Sequence, residues 1–122
     1  MAEIINFFFD LQTNIKLYHW TTTSYPRHKA SDDLSEKILD TSDKFMEVYI
    51  GKYGRPTMNK KHSNIYLQKL DDKNVVKYLD YAINFLLNDL MLCINKSDVD
   101  LLNIRDEMVG TLNQTKYLFT LS

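Results

Sequence analysis

Residues 19–54 of this chain read HWTTTSYPRHKASDDLSEKILDTSDKFMEVYIGKYG, and they carry the clearest evidence for the fold class. Positions that favour burial recur every three or four residues, which predicts an amphipathic helix from about His28 to Lys52. The positions expected on its packing face are Ala30, Leu34, Ile38, Thr41, Phe45 and Val48. Gly51 and Gly54 are expected to end this helix, because glycine adopts the backbone conformation of a helix C-terminus without strain.

Three other segments show the same helical spacing of apolar residues. They predict helices over residues 3–20, 73–95 and 97–121, the last capped by Ser97-Asp98. The stretch between the first two helices contains β-branched residues and a proline, so it makes a tight connection. With three glycines and two prolines in 122 residues, the chain favours a few long helices over many short strands.

A long connector joins the second and third predicted helices over residues 51–73. A short helix inside it is indicated by Ile65, Tyr66, Leu67 and Leu70. Four helices with one long crossover and two short turns favour a ferritin-like bundle over a simple up-and-down bundle. The expected fold is all-α, a single ferritin-like domain over residues 1–122 whose long crossover contains a short helix.

Composition and charge exclude several other classes of protein. The formal net charge of -1 gives no general attraction to nucleic acid or anionic lipid. No segment approaches the ~20 apolar residues of a membrane span. The single Cys93 excludes a disulfide framework, and the acidic N-terminus lacks the features of a signal peptide. These observations predict a soluble, cytoplasmic protein with no membrane association.

The second helix carries metal-ligand residue types in the pattern H-x3-D-x10-D-x3-E. These residues are His28, Asp32, Asp43 and Glu47. At 100° per residue, the three carboxylates lie about 40°, 60° and 100° around the helix from the histidine, so all four share one arc. The same helix carries further charged residues at Asp33, Glu36, Lys37, Asp40 and Lys44. The pattern therefore indicates either a metal site or an ordinary solvated face.

A second histidine favours the metal site. His19 ends the first helix just before the short turn and His28 begins the second. Antiparallel packing of these helices therefore places both imidazoles close to Asp32. Asp43 and Glu47 lie about 16 Å further along the helix, too far for one ion whose bonds to its ligands are near 2 Å. A two-fold dimer with antiparallel second helices would instead build two shared sites.

The ligand types also indicate which metal is bound. Mixed imidazole and carboxylate ligation suits Fe(II), and zinc or manganese fits the same ligands. An internal di-iron site within one bundle is not expected, because such sites use Glu-x-x-His on two helices and no Glu-x-x-His occurs here. Iron bound between paired subunits is therefore the leading hypothesis.

The ligand pattern resembles that of the Dps mini-ferritins, the DNA-binding proteins from starved cells. Their signature is a His-Trp pair followed by H-x3-D-x10-D-x3-E. The matching residues in this chain are His19, Trp20, His28, Asp32, Asp43 and Glu47. Gly54-Arg55-Pro56 is similar to the Gly-x-Pro that ends the same helix in that family, and residues 97–119 resemble its final helix.

This resemblance implies ferroxidase sites shared across two-fold dimers, and often a hollow dodecamer that stores ferric mineral. Members of the family oxidise Fe(II), frequently with hydrogen peroxide, and so limit oxidative damage. By the resemblance, Asp43 and Glu47 would hold iron most firmly and the two histidines would ligate a second position. Asp32 would bridge or orient, and Trp20 would pack beside the site.

Departures from the family pattern keep alternatives open. The turn between His19 and His28 is three residues shorter than the usual spacing, and no lysine-rich tail precedes the first helix. A basic rim in an oligomer would come from Lys52, Arg55, Lys60 and Lys61, but an ordinary solvated loop explains these residues better. The alternative functions are a ferritin-like structural or nucleic-acid-packaging protein without fast iron oxidation, and a plain helical interaction module.

Overall fold

The computed structural model describes residues 2–58 and 64–122 and contains four α-helices and one short 3-10 helix there. They are α1 (Ala2–Thr21), α2 (Tyr25–Tyr53), α3 (Val75–Leu87), the 3-10 helix (Asp89–Leu92) and α4 (Val99–Phe119). The described residues form no strand, so the predicted all-α class is confirmed. None of these helices is long and apolar enough to cross a membrane.

α2 begins three residues earlier than the sequence predicts. The Arg27 N–H donates a hydrogen bond to Ser24 Oγ at 3.4 Å, which caps the helix. Pro26 falls in the first turn, where its missing N–H costs nothing. The connection from α1 therefore shrinks to residues 22–24, and His28 lies one turn inside α2.

α2 ends at Tyr53 and is followed by Gly54. The Gly54 N–H donates to the Ile50 carbonyl at 2.8 Å, and Gly54 has a φ of 96°, a conformation that favours glycine. The predicted stop at Gly54 is therefore confirmed. The predicted stop at Gly51 is wrong, because Gly51 lies inside the helix.

α1 and α2 pack side by side in opposite directions. The Phe8 ring meets the Phe45 ring edge-on, with centroids 5.4 Å apart. Further along α1, the Gln12 amide donates to Ser42 Oγ at 2.7 Å. Residue numbers rise along α1 as they fall along α2, so the two helices are antiparallel, as expected for helices joined by a short turn.

α3 packs against a different side of α1 and is also antiparallel to it. Phe7 stacks on Phe85 with ring centroids 4.0 Å apart, and the Asn14 amide contacts the Tyr78 hydroxyl at 3.4 Å. Since α2 and α3 are each antiparallel to α1, they run parallel to one another. The connector between them must therefore return along the length of the bundle.

α4 completes the bundle and is antiparallel to α2. Lys52 near the end of α2 forms an ion pair with Asp100 in the first turn of α4. At the opposite end, Arg27 Nε donates to Ser122 Oγ at 3.1 Å, just beyond α4. α4 also contacts α3. Fully buried side chains from all four helices meet in the core, among them Tyr18, Phe45, Leu79, Leu101 and Phe119.

The short helix predicted within the connector is wrong for residues 64–70, which form neither helix nor strand. Asn14, fully buried on α1, donates from Nδ2 to the Tyr66 carbonyl at 3.0 Å and accepts from the Gln68 N–H at 2.6 Å. A side-chain amide that binds both backbone groups of a segment competes with helical hydrogen bonds. The apolar residues that suggested a helix are instead exposed at Ile65, Tyr66 and Leu67.

The third helix is shorter than predicted and ends at Leu87, eight residues before the expected end. The Asn88 side chain donates to the Asn84 carbonyl at 3.2 Å and to Asn84 Oδ1 at 2.7 Å. Such local side-chain bonds compete with the helical pattern, and the chain then tightens into the 3-10 helix. Leu90 and Ile94 remain buried in the core, so the apolar spacing reported burial correctly but not helix length.

The Asp98 side chain does not cap α4 as predicted. Its carboxylate turns back and accepts from the Asn95 N–H at 2.9 Å, from the Lys52 ammonium at 3.3 Å and from the Tyr53 hydroxyl. The Tyr53 hydrogen bond, followed by the contributions of Asn95 and Lys52, holds the pKa of Asp98 below the ordinary aspartate range. These bonds tie the end of α2 to the start of α4.

Replacing Asp98 with asparagine is expected to lower the unfolding temperature at neutral pH but not in strong acid. Because the folded-state pKa lies below the unfolded one, the carboxylate's contribution is fully present above about pH 4 and is lost as pH falls through the lowered folded-state value. Thermal unfolding of wild type and Asp98→Asn, followed by circular dichroism between neutral and acidic pH, checks this. A gap between the two proteins that stays constant across the range would contradict it.

Candidate metal centre

The short turn between α1 and α2 brings His19 and His28 face to face. Their ring centroids are 4.0 Å apart and the ring planes are inclined by only 17°. His19 is buried at the end of α1, and His28 is partly buried in the second turn of α2. The three residues of the turn are therefore enough to place the two imidazoles together.

Each histidine is held by the backbone of the other. His19 Nδ1 lies 2.7 Å from the His28 carbonyl oxygen, and His28 Nδ1 lies 2.8 Å from the His19 carbonyl oxygen. A carbonyl oxygen only accepts hydrogen bonds, so each neutral ring carries its proton on Nδ1 and has its lone pair on Nε2. Metal-binding histidines commonly use one ring N–H on a carbonyl or carboxylate in this way and bind the metal with the other nitrogen.

Asp32 lies next to this pair. Its Oδ1 atom is 3.7 Å from His19 Nε2 and 3.8 Å from Lys16 Nζ. Two ligand atoms separated by 3.7 Å can both bind one ion, with bonds of about 2.1 Å that meet at roughly 120°. The structure thus places His19 between His28, on which it stacks, and Asp32. We call His19, His28 and Asp32 the histidine half-site.

The remaining two predicted ligands, Asp43 and Glu47, are exposed on α2 and lie apart from the histidine half-site. We call them the acidic half-site. The helical rise puts Asp43 about 16 Å along the axis from Asp32. Within the described parts of the chain, no group of three or more His, Cys, Asp or Glu side chains could hold a metal ion. The two half-sites do not meet inside one chain.

A shallow, mostly apolar groove of about 280 Å³ runs between α1 and α2 and reaches Asp43. Its lining consists of Ile5, Phe8, Phe9, Gln12, Leu39, Ser42, Asp43, Met46 and Ile50. Phe9 and Leu39 are 51% and 56% exposed. Past Leu39, a second depression continues to Lys16, which contacts Asp32. The two depressions therefore lie between Asp43 of the acidic half-site and Lys16, which contacts Asp32 of the histidine half-site.

Among the described residues, Tyr25 is an aromatic neighbour of His28 that the sequence interpretation missed. Its ring stacks on His28 at a centroid distance of 6.4 Å and an inclination of 25°. The signal for it is the three-residue spacing from His28, which becomes meaningful only once α2 is known to begin at Tyr25. Trp20 follows His19 in the chain but its indole is 69% exposed, so its predicted packing beside the site stays a prediction.

The connector residues that would supply a basic rim are only partly described. Lys52 is paired with Asp98 and Asp100 at the start of α4. Arg55 is exposed just beyond α2. Lys60 and Lys61 lie outside the described residues.

These features define an all-α, four-helix protein with a histidine–carboxylate half-site at the turn between its first two helices. The chain belongs to a family of unknown function, DUF5856, which matches residues 19–119. It is similar to an uncharacterized 14.6 kDa protein from the mobD-ri intergenic region of Enterobacteria phage T4. The two are 30% identical over 103 residues, which are 84% of this chain and 74% of the phage protein. No solved structure is significantly similar to this chain. The family match begins at His19 and so includes the whole ligand pattern.

Proposed function

We propose that two copies of this chain pair through antiparallel α2 helices and bind and oxidise Fe(II) at two shared sites, as a Dps-like mini-ferritin does. The observation that carries the proposal is the histidine pair. His19 and His28 stack, and each donates its Nδ1 proton to the carbonyl of the other. Both rings therefore present an Nε2 lone pair, the form in which a neutral histidine binds a metal.

The directions of the helices support a ferritin-like fold for this function. α2 and α3 run parallel and are joined by a long crossover, whereas the other two connections are shorter. One long crossover is the connectivity of ferritin-like bundles, and up-and-down bundles have short loops throughout. The ferritin-like fold is therefore part of the proposal.

The spacing of the ligands along α2 supports the antiparallel pairing. Asp32 and Asp43 lie at equal distances on either side of a point just after Lys37, and so do His28 and Glu47. A two-fold axis near that point would set the partner subunit's Asp43 opposite Asp32 and the partner subunit's Glu47 opposite His28. Each histidine half-site would then meet the acidic half-site of the other chain.

The apolar groove supports the same pairing. Leu39, Met46 and Ile50 lie about 20°, 0° and 40° around α2 from His28, within the arc that carries the ligands. An ordinary solvated face would have polar side chains at these positions. Instead they are apolar, and Leu39 is more than half exposed. Covering this apolar surface with the same surface of a second copy would remove it from water and stabilise the pair.

The shared site has the ligands that iron oxidation requires. Two imidazoles and a carboxylate from one chain, with two carboxylates from the other, suit Fe(II), and the carboxylates stabilise the additional charge of Fe(III). Two Fe(II) ions give up one electron each. Two electrons and two protons then break the O–O bond of one hydrogen peroxide and yield two waters. The same ligand set accepts zinc or manganese.

Fe(II) oxidation by hydrogen peroxide, measured for wild type and for Asp43→Asn/Glu47→Gln, tests the proposal. The double variant is expected to oxidise Fe(II) no faster than buffer, because the acidic half-site has lost both charges. The matched control is Asp33→Asn/Glu107→Gln, which makes the same chemical changes at exposed positions outside the ligand arc. This control should keep the wild-type rate. Equal rates in wild type and Asp43→Asn/Glu47→Gln would reject the proposal.

A further inference from the structure

Lys16 and His19 both lie near the same oxygen atom, Oδ1 of Asp32. It lies one turn before His19 on α1, and its ammonium is 3.8 Å from Asp32 Oδ1, while His19 Nε2 is 3.7 Å from the same atom. Lys16 also lines the depression that leads from the histidine half-site toward Leu39. Its ammonium therefore sits beside the position that a bound metal would take.

The other cationic side chains near the turn contact groups other than the three residues of the histidine half-site. Arg27 donates from Nη1 to the Asp72 carbonyl at 2.9 Å and lies over the Phe119 ring. The Lys29 ammonium lies 5.9 Å from the Tyr25 ring centroid. Among the lysines and arginines of the described residues, Lys16 is the one that forms an ion pair with the histidine half-site, through Asp32.

The proposed pairing brings carboxylates close together, and Lys16 can reduce the repulsion between them. Each shared site brings together the carboxylates of Asp32 and of the partner subunit's Asp43 and Glu47. Without a metal, three like charges repel one another and oppose pairing. An ammonium beside Asp32 offsets one of these charges, and the Lys16 side chain is 43% exposed, so it can swing into solvent at little cost.

We infer that Lys16 is an exchangeable counter-ion, which neutralises the carboxylates of the metal-free pair and leaves when a divalent cation binds. This inference rests on the proposed function. With Lys16 present, the dimer forms more readily in the absence of metal. The affinity for metal is lower than it would be without the lysine, because the cation must displace an ammonium from Asp32.

Replacing Lys16 with methionine keeps an unbranched side chain that is one atom shorter and removes the charge. The metal-free pair is expected to dissociate more readily, with a dimer Kd raised about three- to tenfold, while the Kd for zinc falls by about the same factor. Lys16→Arg keeps the charge and should stay close to wild type in both measurements. Lys77→Met, on α3, makes the same charge change away from the groove and should change neither value.

Sedimentation equilibrium in chelator and zinc titration by calorimetry measure the two quantities. Opposite shifts in Lys16→Met, absent from Lys77→Met, would support the counter-ion role. No shift, or two shifts in the same direction, would overturn it. The shared site itself is tested separately with Asp43→Asn/Glu47→Gln: if that variant binds zinc as tightly as wild type, the proposed function fails as well. If it loses zinc while Lys16→Met behaves as wild type, only the counter-ion role is overturned.

Discussion

Mixing two inactive variants is expected to restore iron oxidation if each site takes its ligands from two chains. One variant, His28→Gln/Asp32→Asn, damages the histidine half-site but leaves the buried His19 in place to hold the turn. The other, Asp43→Asn/Glu47→Gln, damages the acidic half-site. A heterodimer of the two has one site with both halves intact and one with neither. Random pairing gives about half heterodimers, so about one quarter of the wild-type rate should return.

A complementary mixture gives the opposite result. A chain that carries all four substitutions, paired with wild type, forms heterodimers in which neither site is complete. An equal mixture should therefore fall from one half of the wild-type rate to about one quarter as the subunits exchange. Native mass spectrometry verifies the exchange in both mixtures. Recovery that is absent from fully exchanged heterodimers would show that the half-sites do not combine across chains.

Replacing Leu39 with arginine is expected to separate the subunits without removing any ligand. Leu39 lies close to the proposed two-fold axis, so the leucines of both copies would meet there and two arginines would repel. Apolar contact would be lost at the same time. We expect the dimer Kd to rise by about a hundredfold or more, equivalent to a few kcal/mol. Fe(II) oxidation should be lost with it, although His19, His28 and Asp32 are unchanged.

The control for this experiment is Leu92→Arg. Leu92 is 89% exposed in the 3-10 helix, so the same substitution there adds the same charge away from α2. Light scattering reports the oligomeric state, and circular dichroism checks that both variants stay folded. A wild-type protein that is monomeric, or a Leu39→Arg variant that still dimerises and oxidises Fe(II), would remove the basis for shared sites.

The periodicity of apolar residues predicted the helices well where apolar packing against the core decides the structure. α1 and the end of α2 at Gly54 lie close to their expected positions. The errors arise where polar side chains bind the backbone. Asn88 bonds to Asn84 beyond α3, and Asn14 holds the connector in a non-helical form. The spacing of apolar residues does not report these bonds. The Asn88 bond is a local contact between polar side chains, and the Asn14 bonds form only when α1 meets the distant connector.

The start of α2 was missed for a different reason. Pro26 reads as a helix breaker in a turn, but it is accepted in a first helical turn once Ser24 caps the helix. Whether a proline ends a loop or begins a helix depends on the residue that caps it, and the sequence contained that serine. The earlier start also moves Tyr25 onto α2, where it can stack on His28.

The amino-acid sequence alone was enough to propose the ligands on α2 and to place them on one side of that helix, because helical geometry converts spacing into angle and rise. It also determined that one chain separates the two half-sites by several turns. Only the tertiary structure decided that His19 and His28 stack, that each Nδ1 donates to the opposite carbonyl, and that Lys16 meets Asp32. These contacts depend on the path of a three-residue turn and on the offset between two helices. Neither can be predicted from the periodicity of a single helix.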